Sequence, residues 1–365
     1  MLKTLKTKNK IKYHNHRKKA VFITNARINL QELKERIISF DNILIIAHIN
    51  PDPDTLGASL GLKQIFAKLN KTAYIVSDSK VKDNICGYFD IVPELDLACI
   101  ESSGFTPDYI ICVDSGDASQ IGKYKKYYSE DISQNKIDIV IDHHYTNSFY
   151  GKETYLDDKA AATGEIIFDL AKELNFETDR IFAKNLYCAI VDDSGAFRYS
   201  STTPKTMTAA AELMATGFDF AKLNRLIYQN KSMTQIAIER LAYNSLKFYC
   251  GGKIAVITIT GEMKKAAGIE NVEIDGINEI PRSVEGVEVG VVIREADSEE
   301  NGNTRIFYIS LRSNEYVNVA EIAAQFGGGG HIRAAGCKIK IAGDTADTNV
   351  ESLGKELIDI IEKVL

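Results

Sequence analysis

Three apolar runs in this chain, each about the length of a buried β-strand, end on side chains that cannot stay buried without a partner. "ILIIAH" ends at His48, "YIICVD" at Asp114, and "IDIVIDHH" at Asp142, His143 and His144. An unbroken Ile/Leu/Val run is what a strand covered on both faces looks like, and such strands belong to parallel sheets flanked by helices. Helical patterns alternate with these runs. One extends from about Thr55 to Leu69 before "AYIVSD", and another, "AATGEIIFDLAKEL", follows the third polar end. The alternation predicts an α/β fold with a mostly parallel sheet. Ligands in such sheets collect beyond the carboxyl ends of the strands, which is where the acids and imidazoles fall.

The chain has six histidines. His14 and His16 lie near the N-terminus, and the others are His48, His143, His144 and His331. In "HINPDPD", His48, Asp52 and Asp54 are separated by Pro51 and Pro53, which fix φ and stiffen the turn, so the two carboxylates can face different neighbours. A helical run, "NLYCAIVDDSGAF", adds Asp192 and Asp193 at its end. Carboxylates crowded at one sheet edge repel one another unless cations sit between them. Oxygen ligands with imidazoles and no cysteine suit manganese, with magnesium, cobalt or iron compatible, and argue against a structural zinc. There are enough ligands for two ions, and a pair of ions can clamp a phosphate and activate water for in-line hydrolysis.

A length of 365 residues predicts two domains. No apolar run reaches the length of a bilayer span, and the N-terminus shows no secretion signal. Cys86, Cys99, Cys112, Cys188, Cys250 and Cys337 are far apart, and most sit in apolar runs, the pattern of reduced thiols in a cytoplasmic protein. The first twenty residues carry eight Lys/Arg and no acid, so the rest stands near −14 against a total of −6. Residues 1–20 read as a solvated, disordered basic tail or as an auxiliary nucleic-acid contact. The acidic body argues against binding long duplexes.

A helical stretch from about Asp219 to Tyr249 precedes a second strand-rich unit: "GGKIAVITIT", "GVEVGVVIRE" and "RIFYISLRS". The helix "NVAEIAAQF", with Asn318 as N-cap and Glu321 three residues on, ends at "FGGGGH". That glycine run reads either as a flexible helix-ending loop or as a backbone nest for an anion. No Lys-Ser/Thr follows it, which excludes a triphosphate P-loop. "GASLG" formally fits G-x-S-x-G, but Ser59 falls inside the first long helix, where small residues permit close packing and no nucleophile elbow forms.

Taken in order, "HINPDPD", "VDSGD", "IDHH" with Asn147 after it, and "VDDSGAF" resemble the four motifs of the DHH phosphoesterases. "SLRS" followed by "FGGGGHIRAAG" resembles their DHH-associated C-terminal domain, and "PRSVEGVEVGVVIRE" is most similar to the nanoRNase/pAp phosphatase branch. The resemblance runs from about Ile43 to Lys340. It implies a DHH catalytic domain over 21–217, a helical linker over 218–250 and a smaller mixed α/β substrate-binding domain over 251–365. It assigns one ion to His48, Asp52, Asp114 and Asp193, and a second to Asp54, Asp114 and His143, with Asp114 bridging. Asp142 would orient a histidine, and His144 would meet the phosphate. Arg312, Gly328, Gly329, Gly330 and His331 would hold the substrate, with Arg294 a further candidate. Ala58 stands where the family often has serine and Pro53 where it often has glycine; neither change removes a ligand.

The activity implied is two-metal hydrolysis, by metal-hydroxide attack on phosphorus. Its substrates would be short oligoribonucleotides, dinucleotides or 3′-phosphoadenosine 5′-phosphate. Manganese is the favoured metal. A stand-alone cyclic-di-AMP phosphodiesterase shares every motif and is the alternative; a single-strand exonuclease and a non-catalytic nucleotide binder are more distant. The partners expected are a short nucleotide and a second copy of the chain, with no membrane.

Overall fold

A computed structural model of the chain describes residues 26–90, 95, 97–269, 276–296, 304–342 and 350–365. The basic tail over 1–20 lies outside the described residues. The chain divides into two compact units, the first ending at Asn230 and the second running Lys231–Leu365.

The first unit contains, in order, β1 (Ala26–Arg27), α1 (Leu30–Ile37), β2 (Asn42–Ala47), α2 (Pro53–Lys68), β3 (Thr72–Val76), α3 (Asp83–Cys86) and α4 (Leu97–Ser102). It continues with β4 (Tyr109–Val113), β5 (Ile139–Asp142), β6 (Glu153–Leu156), α5 (Thr163–Glu173), α6 (Arg180–Asp193), α7 (Pro204–Met214) and α8 (Phe220–Tyr228). Its six strands form one sheet in the order β1-β6-β5-β4-β2-β3, and every pairing is parallel. The expected α/β architecture is therefore present. β2 shows why its run is unbroken: Ile43, Ile45 and Ala47 enter the core under α2, α5 and α6, while Leu44 and Ile46 enter a second core on the opposite face with Ile121 and Tyr124.

Helix α2 begins two residues earlier than its apolar pattern suggests. Asp52 is the N-cap, accepting from Thr55 N at 2.9 Å, and Pro53 fills the first helical position, where a missing N–H costs nothing. Pro53 thus ties Asp52 and Asp54 to a helix start. The small-residue face of α2 lies against α6: a Cβ at Gly57 would come within 2.4 Å of Asn185 O and 3.0 Å of Ala189 Cβ. Ser59 is fully buried inside α2, away from any strand-to-helix turn, so it is no hydrolase nucleophile. Gly57→Ala must push α2 and α6 apart against a backbone carbonyl. It should destabilise the unit by about 2 kcal/mol, as overpacked cores do, read from denaturant unfolding.

The second unit contains α9 (Met233–Ser245), β7 (Lys247–Tyr249), β8 (Ile254–Ile259), α10 (Gly261–Ala266), α11 (Glu279–Arg282), β9 (Val289–Glu295), β10 (Thr304–Ser313), α12 (Val319–Gln325), β11 (Gly329–His331), β12 (Ala334–Ala342) and α13 (Val350–Glu362). The sheet order is β11-β12-β10-β9-β8-β7, with β8–β9 parallel and the other pairs antiparallel. The segment 218–250, expected as a connector, places α8 in the first unit through Leu223 and α9 in the second through Ile238 and Ala242.

Candidate active site

β2, β4 and β5 are neighbours in the sheet, so their carboxyl ends open side by side. His48 follows β2, Asp114 follows β4, and β5 ends at Asp142 with His143 and His144 next. Asp114 has φ 59°, in the left-handed region that Asp tolerates better than most residues, and its N–H donates to Ile141 O at 2.9 Å. Asp52 and Asp54 arrive on the start of α2, and Asp193 on the last turn of α6. Residues up to 145 positions apart are thereby gathered at one edge, with His48 and Asp193 at the extremes.

Asp114 sits at the centre. Its Oδ2 is 3.6 Å from His48 Nε2, which is also 3.4 Å from Asp52 Oδ2. Its Oδ1 is 3.7 Å from His143 Nε2 and 3.8 Å from His144 Nδ1. His143 Nε2 faces two further carboxylates, Asp193 Oδ2 at 3.1 Å and Asp54 Oδ2 at 3.9 Å. Three groups have their donor atoms within 4.8 Å of one another: His48/Asp52/Asp114, Asp54/His143/Asp193, and Asp114/His143/His144, which joins Asp114 to the His143 side. Asp193 therefore groups with Asp54 and His143, where the motif resemblance had put it with His48 and Asp52. The reason is packing: α6 lies against both α2 and α5, and its last turn delivers Asp193 to the His143 side.

The site's electrostatics fit divalent cations. Burial, reinforced by the Asp114 and Asp193 charges, holds the Asp54 carboxyl well above the usual range, and burial with Asp52 and Asp193 raises Asp114. Burial works against charged imidazoles at His48 and His143, yet the surrounding carboxylates override it and push them up to about 9 and about 10. Protons on histidine thus stand where cations are called for. His143 Nε2 is buried and faces three carboxylates, the nearest, Asp193 Oδ2, at 3.1 Å, a donor arrangement that fits a divalent cation. These Asp/His groups are able to hold metal ions.

His144 is arranged differently. Its Nδ1 lies 2.7 Å from Asp142 Oδ1, and Asn147 Nδ2 donates to Asp142 Oδ2 at 2.6 Å. Burial opposes ionisation of Asp142, but His144 and Asn147 outweigh it and hold the carboxyl below its usual range.

Sequence reasoning missed four groups here. Thr55 Oγ1 donates to Asp114 Oδ2 at 2.6 Å and Thr163 Oγ1 to Asp114 Oδ1 at 2.9 Å, so each oxygen of the shared carboxylate is aimed by a hydroxyl. Thr163 N and Gly164 N, at the start of α5, donate to the two oxygens of Asp54 at 2.7 and 2.8 Å. Asp54 therefore caps a helix other than its own. One signal was available: "AAATGE" begins a helix with Ala162 at the cap, so its first N–H groups need an acceptor from elsewhere.

In the second unit, Arg312 lies near the end of β10, half-buried, with Nη1 donating to Leu311 O at 3.0 Å. The turn after it is pinned by Glu288, a buried carboxylate that accepts the backbone N–H groups of Glu315, Tyr316 and Val317. Gly327 ends α12, but Gly329, Gly330 and His331 then form β11, an edge strand paired with β12, where a free loop was one expectation. Gly330 has φ 143°, and a Cβ there would come within 2.5 Å of Ala334 O, so the hairpin itself demands glycine. Gly328 is half-buried and Gly329 exposed. The side chain of His331 lies outside the described residues. Arg294 is on β9, opposite Tyr308 of β10.

Comparison with known proteins agrees with this architecture. Residues 42–190 match the DHH family, N-terminal domain, and residues 251–363 match the DHHA1 domain. The chain is 31% identical over 303 residues to the bifunctional oligoribonuclease and PAP phosphatase NrnA of Thermus thermophilus, covering 82% of this chain and 84% of that one. It is 25% identical over 362 residues to the cyclic-di-AMP phosphodiesterase PdeA of Listeria monocytogenes, covering 92% of this chain but 50% of the relative. The fold matches a crystal structure of an exopolyphosphatase-related protein from Bacteroides fragilis with a TM-score of 0.75 at 22% identity, covering 92% and 94% of the two chains. The chain is a member of the DHH family of phosphoesterases, a hydrolase of the NrnA-like kind with a DHHA1 domain after its DHH domain.

Proposed function

We propose that the chain hydrolyses phosphoester bonds in short oligoribonucleotides and dinucleotides, and in 3′-phosphoadenosine 5′-phosphate, with two divalent ions, manganese favoured. The observation that carries this is Asp114: its two oxygens face two separate Asp/His sets, as a carboxylate shared between two ions must. His48, Asp52 and Asp114 would hold one ion, and Asp54, Asp114, His143 and Asp193 the other. Bound there, the ions would supply positive charge to phosphate oxygens and acidify water at neutral pH.

The chain's own residues do the rest. Thr55 and Thr163 fix the carboxylate of Asp114, and the start of α5 fixes Asp54, so the ligands are oriented before any ion arrives. Asp142 engages His144 Nδ1, leaving Nε2 to meet the scissile phosphate or to give the leaving oxygen a proton. In the DHHA1 domain, Arg312, Gly328, Gly329, Gly330 and His331 are assigned to substrate binding, since a guanidinium fork and open backbone N–H groups both suit phosphate. Free thiols at Cys86, Cys112, Cys188, Cys250 and Cys337 fit a cytoplasmic setting, and no helix among the described residues is long and apolar enough to cross a membrane. A homodimer completes the proposal.

The Listeria relative supports a second reading, cyclic-di-AMP hydrolysis. The two separate on product analysis of the manganese-loaded chain given labelled di- to pentaribonucleotides, linear and cyclic di-adenylate, and 3′-phosphoadenosine 5′-phosphate. Release of mononucleotides from short RNA, and of AMP from the bisphosphate, is expected. Turnover of the cyclic dinucleotide alone would replace the first reading with the second.

A further inference from the structure

The turn after the paired histidines carries a largely exposed aromatic side chain on a hydrogen-bonded backbone. His144 O accepts from Asn147 N at 2.9 Å, closing a tight turn with Tyr145 and Thr146 at its tip. Asp142 grips both ends, one oxygen engaging His144 Nδ1 at 2.7 Å and the other accepting from Asn147 Nδ2 at 2.6 Å. Asn147 is itself immobilised, donating to Ser115 O at 3.3 Å and accepting from Phe149 N at 2.7 Å. The turn cannot swing without breaking buried hydrogen bonds. Tyr145 is nevertheless 68% exposed, more than any other large apolar side chain among the described residues of the first unit. Ile49, on the other histidine-bearing loop and directly after His48, is 37% exposed. Both histidine-bearing loops thus carry an exposed apolar side chain.

We propose that Tyr145 is a stacking platform for a nucleobase adjoining the scissile phosphate. The inference rests on the functional reading above, because it requires a nucleotide phosphoester at the Asp/His cluster. Given that, the argument is one of position. His144 is placed to meet phosphate, and Tyr145 is the next residue along a rigid turn, so a base one sugar away from that phosphate lies within reach of the ring. With the backbone beneath it already held in place, only the side-chain torsions of Tyr145 need be ordered on binding. Stacking is tolerant of base identity, as an enzyme clearing mixed short RNA requires, and it offers nothing to an inorganic polyphosphate. The phenol ring rather than its hydroxyl carries the interaction.

The test uses steady-state kinetics of the manganese-loaded full chain on diribonucleotides and on matched substrates with an abasic sugar at either position. Tyr145→Ala should raise KM about tenfold or more on base-bearing substrates, with kcat changed far less. For one of the two abasic substrates, wild type and Tyr145→Ala should converge, because the base that stacks is gone. Tyr145→Phe should restore the low KM. Equal KM for wild type and Tyr145→Ala on base-bearing substrates overturns the inference, as does a KM penalty that persists unchanged on both abasic substrates. A Phe variant as impaired as the Ala variant overturns it too, by moving the role to the hydroxyl. Wild-type chain inert toward every nucleotide would bring down the functional reading, and this inference with it.

Discussion

Asp114→Ala should lower kcat by at least about 10³-fold and leave the chain unable to hold two ions tightly. The size of the effect follows from the residue's position. Every other proposed ligand serves one set, whereas Asp114 Oδ2 faces His48 and Oδ1 faces His143. Both sets lose a donor together, and Thr55 and Thr163 lose the acceptor they share. Stability in the metal-free chain has opposing contributions: removing Asp114 relieves its repulsion with Asp52 and Asp193 but strands the buried hydroxyls of Thr55 and Thr163. The clean readout is therefore the response to metal: manganese should raise the melting temperature of the wild type and not of Asp114→Ala. Asp114→Asn keeps the volume and one acceptor oxygen and should fall between the two in metal affinity. Two tightly bound ions in the alanine variant, or a rate near wild type, would remove Asp114 from the bridging position and with it the basis of the proposed mechanism.

How much of this was legible in advance depended on whether a residue's role is local. The strands of the first sheet could be read because each is buried on both faces and so has no polar alternation to confuse it: Leu44 and Ile46 enter one core while Ile43 and Ile45 enter the other. That their carboxyl ends share one edge could also be anticipated, since parallel strands joined by helices require it; the order of the strands could not. The strand between Glu153 and Leu156 was not separated from its surroundings, because at four residues it carries almost no periodic signal. The structure groups Asp193 with Asp54 and His143, which the order of the motifs did not suggest, for a related reason. A motif orders residues along the chain, but the side of the cluster to which Asp193 is delivered depends on how α6 packs against α2 and α5. Thr163 and Gly164 act through a helix start, and their target, Asp54, lies 109 and 110 positions away. Nothing near "ATG" states that distance. The glycine run kept two readings open because both need glycine; close backbone approach explains Gly328, where a Cβ would come within 2.2 Å of Gly336 O, and Gly330, while the exposed Gly329 has no steric requirement for glycine.

Removing metal should abolish activity and also make the chain's stability fall with rising pH. His48 and His143 are pushed from 6.5 up to about 9 and about 10 in the folded chain. A group whose folded pKa is raised contributes stability that is fully present below its unfolded value and is lost as pH rises through the folded one. For these histidines the loss spans roughly pH 6.5 to 10. Asp54 and Asp114 are also raised, so each adds a loss with the same sign, beginning above the ordinary carboxyl range. Asp52 and Asp142, held low, act oppositely, but only in acid, outside that window. The metal-free chain should therefore lose on the order of a few kcal/mol between pH 6.5 and 10, a drop of several degrees in melting temperature for a unit of this size. Bound ions replace those protons, so the loaded chain should not show the drop, and metal affinity should climb across the same interval. Paired melts with chelator and with manganese, at several pH values, check this, together with activity before and after manganese is restored. A chain that melts with the same pH dependence in both conditions would mean that the imidazoles are balanced by something other than an ion. Activity surviving the chelator would return the search to a nucleophile made of protein, and the helix-buried Ser59 shows that "GASLG" does not supply one.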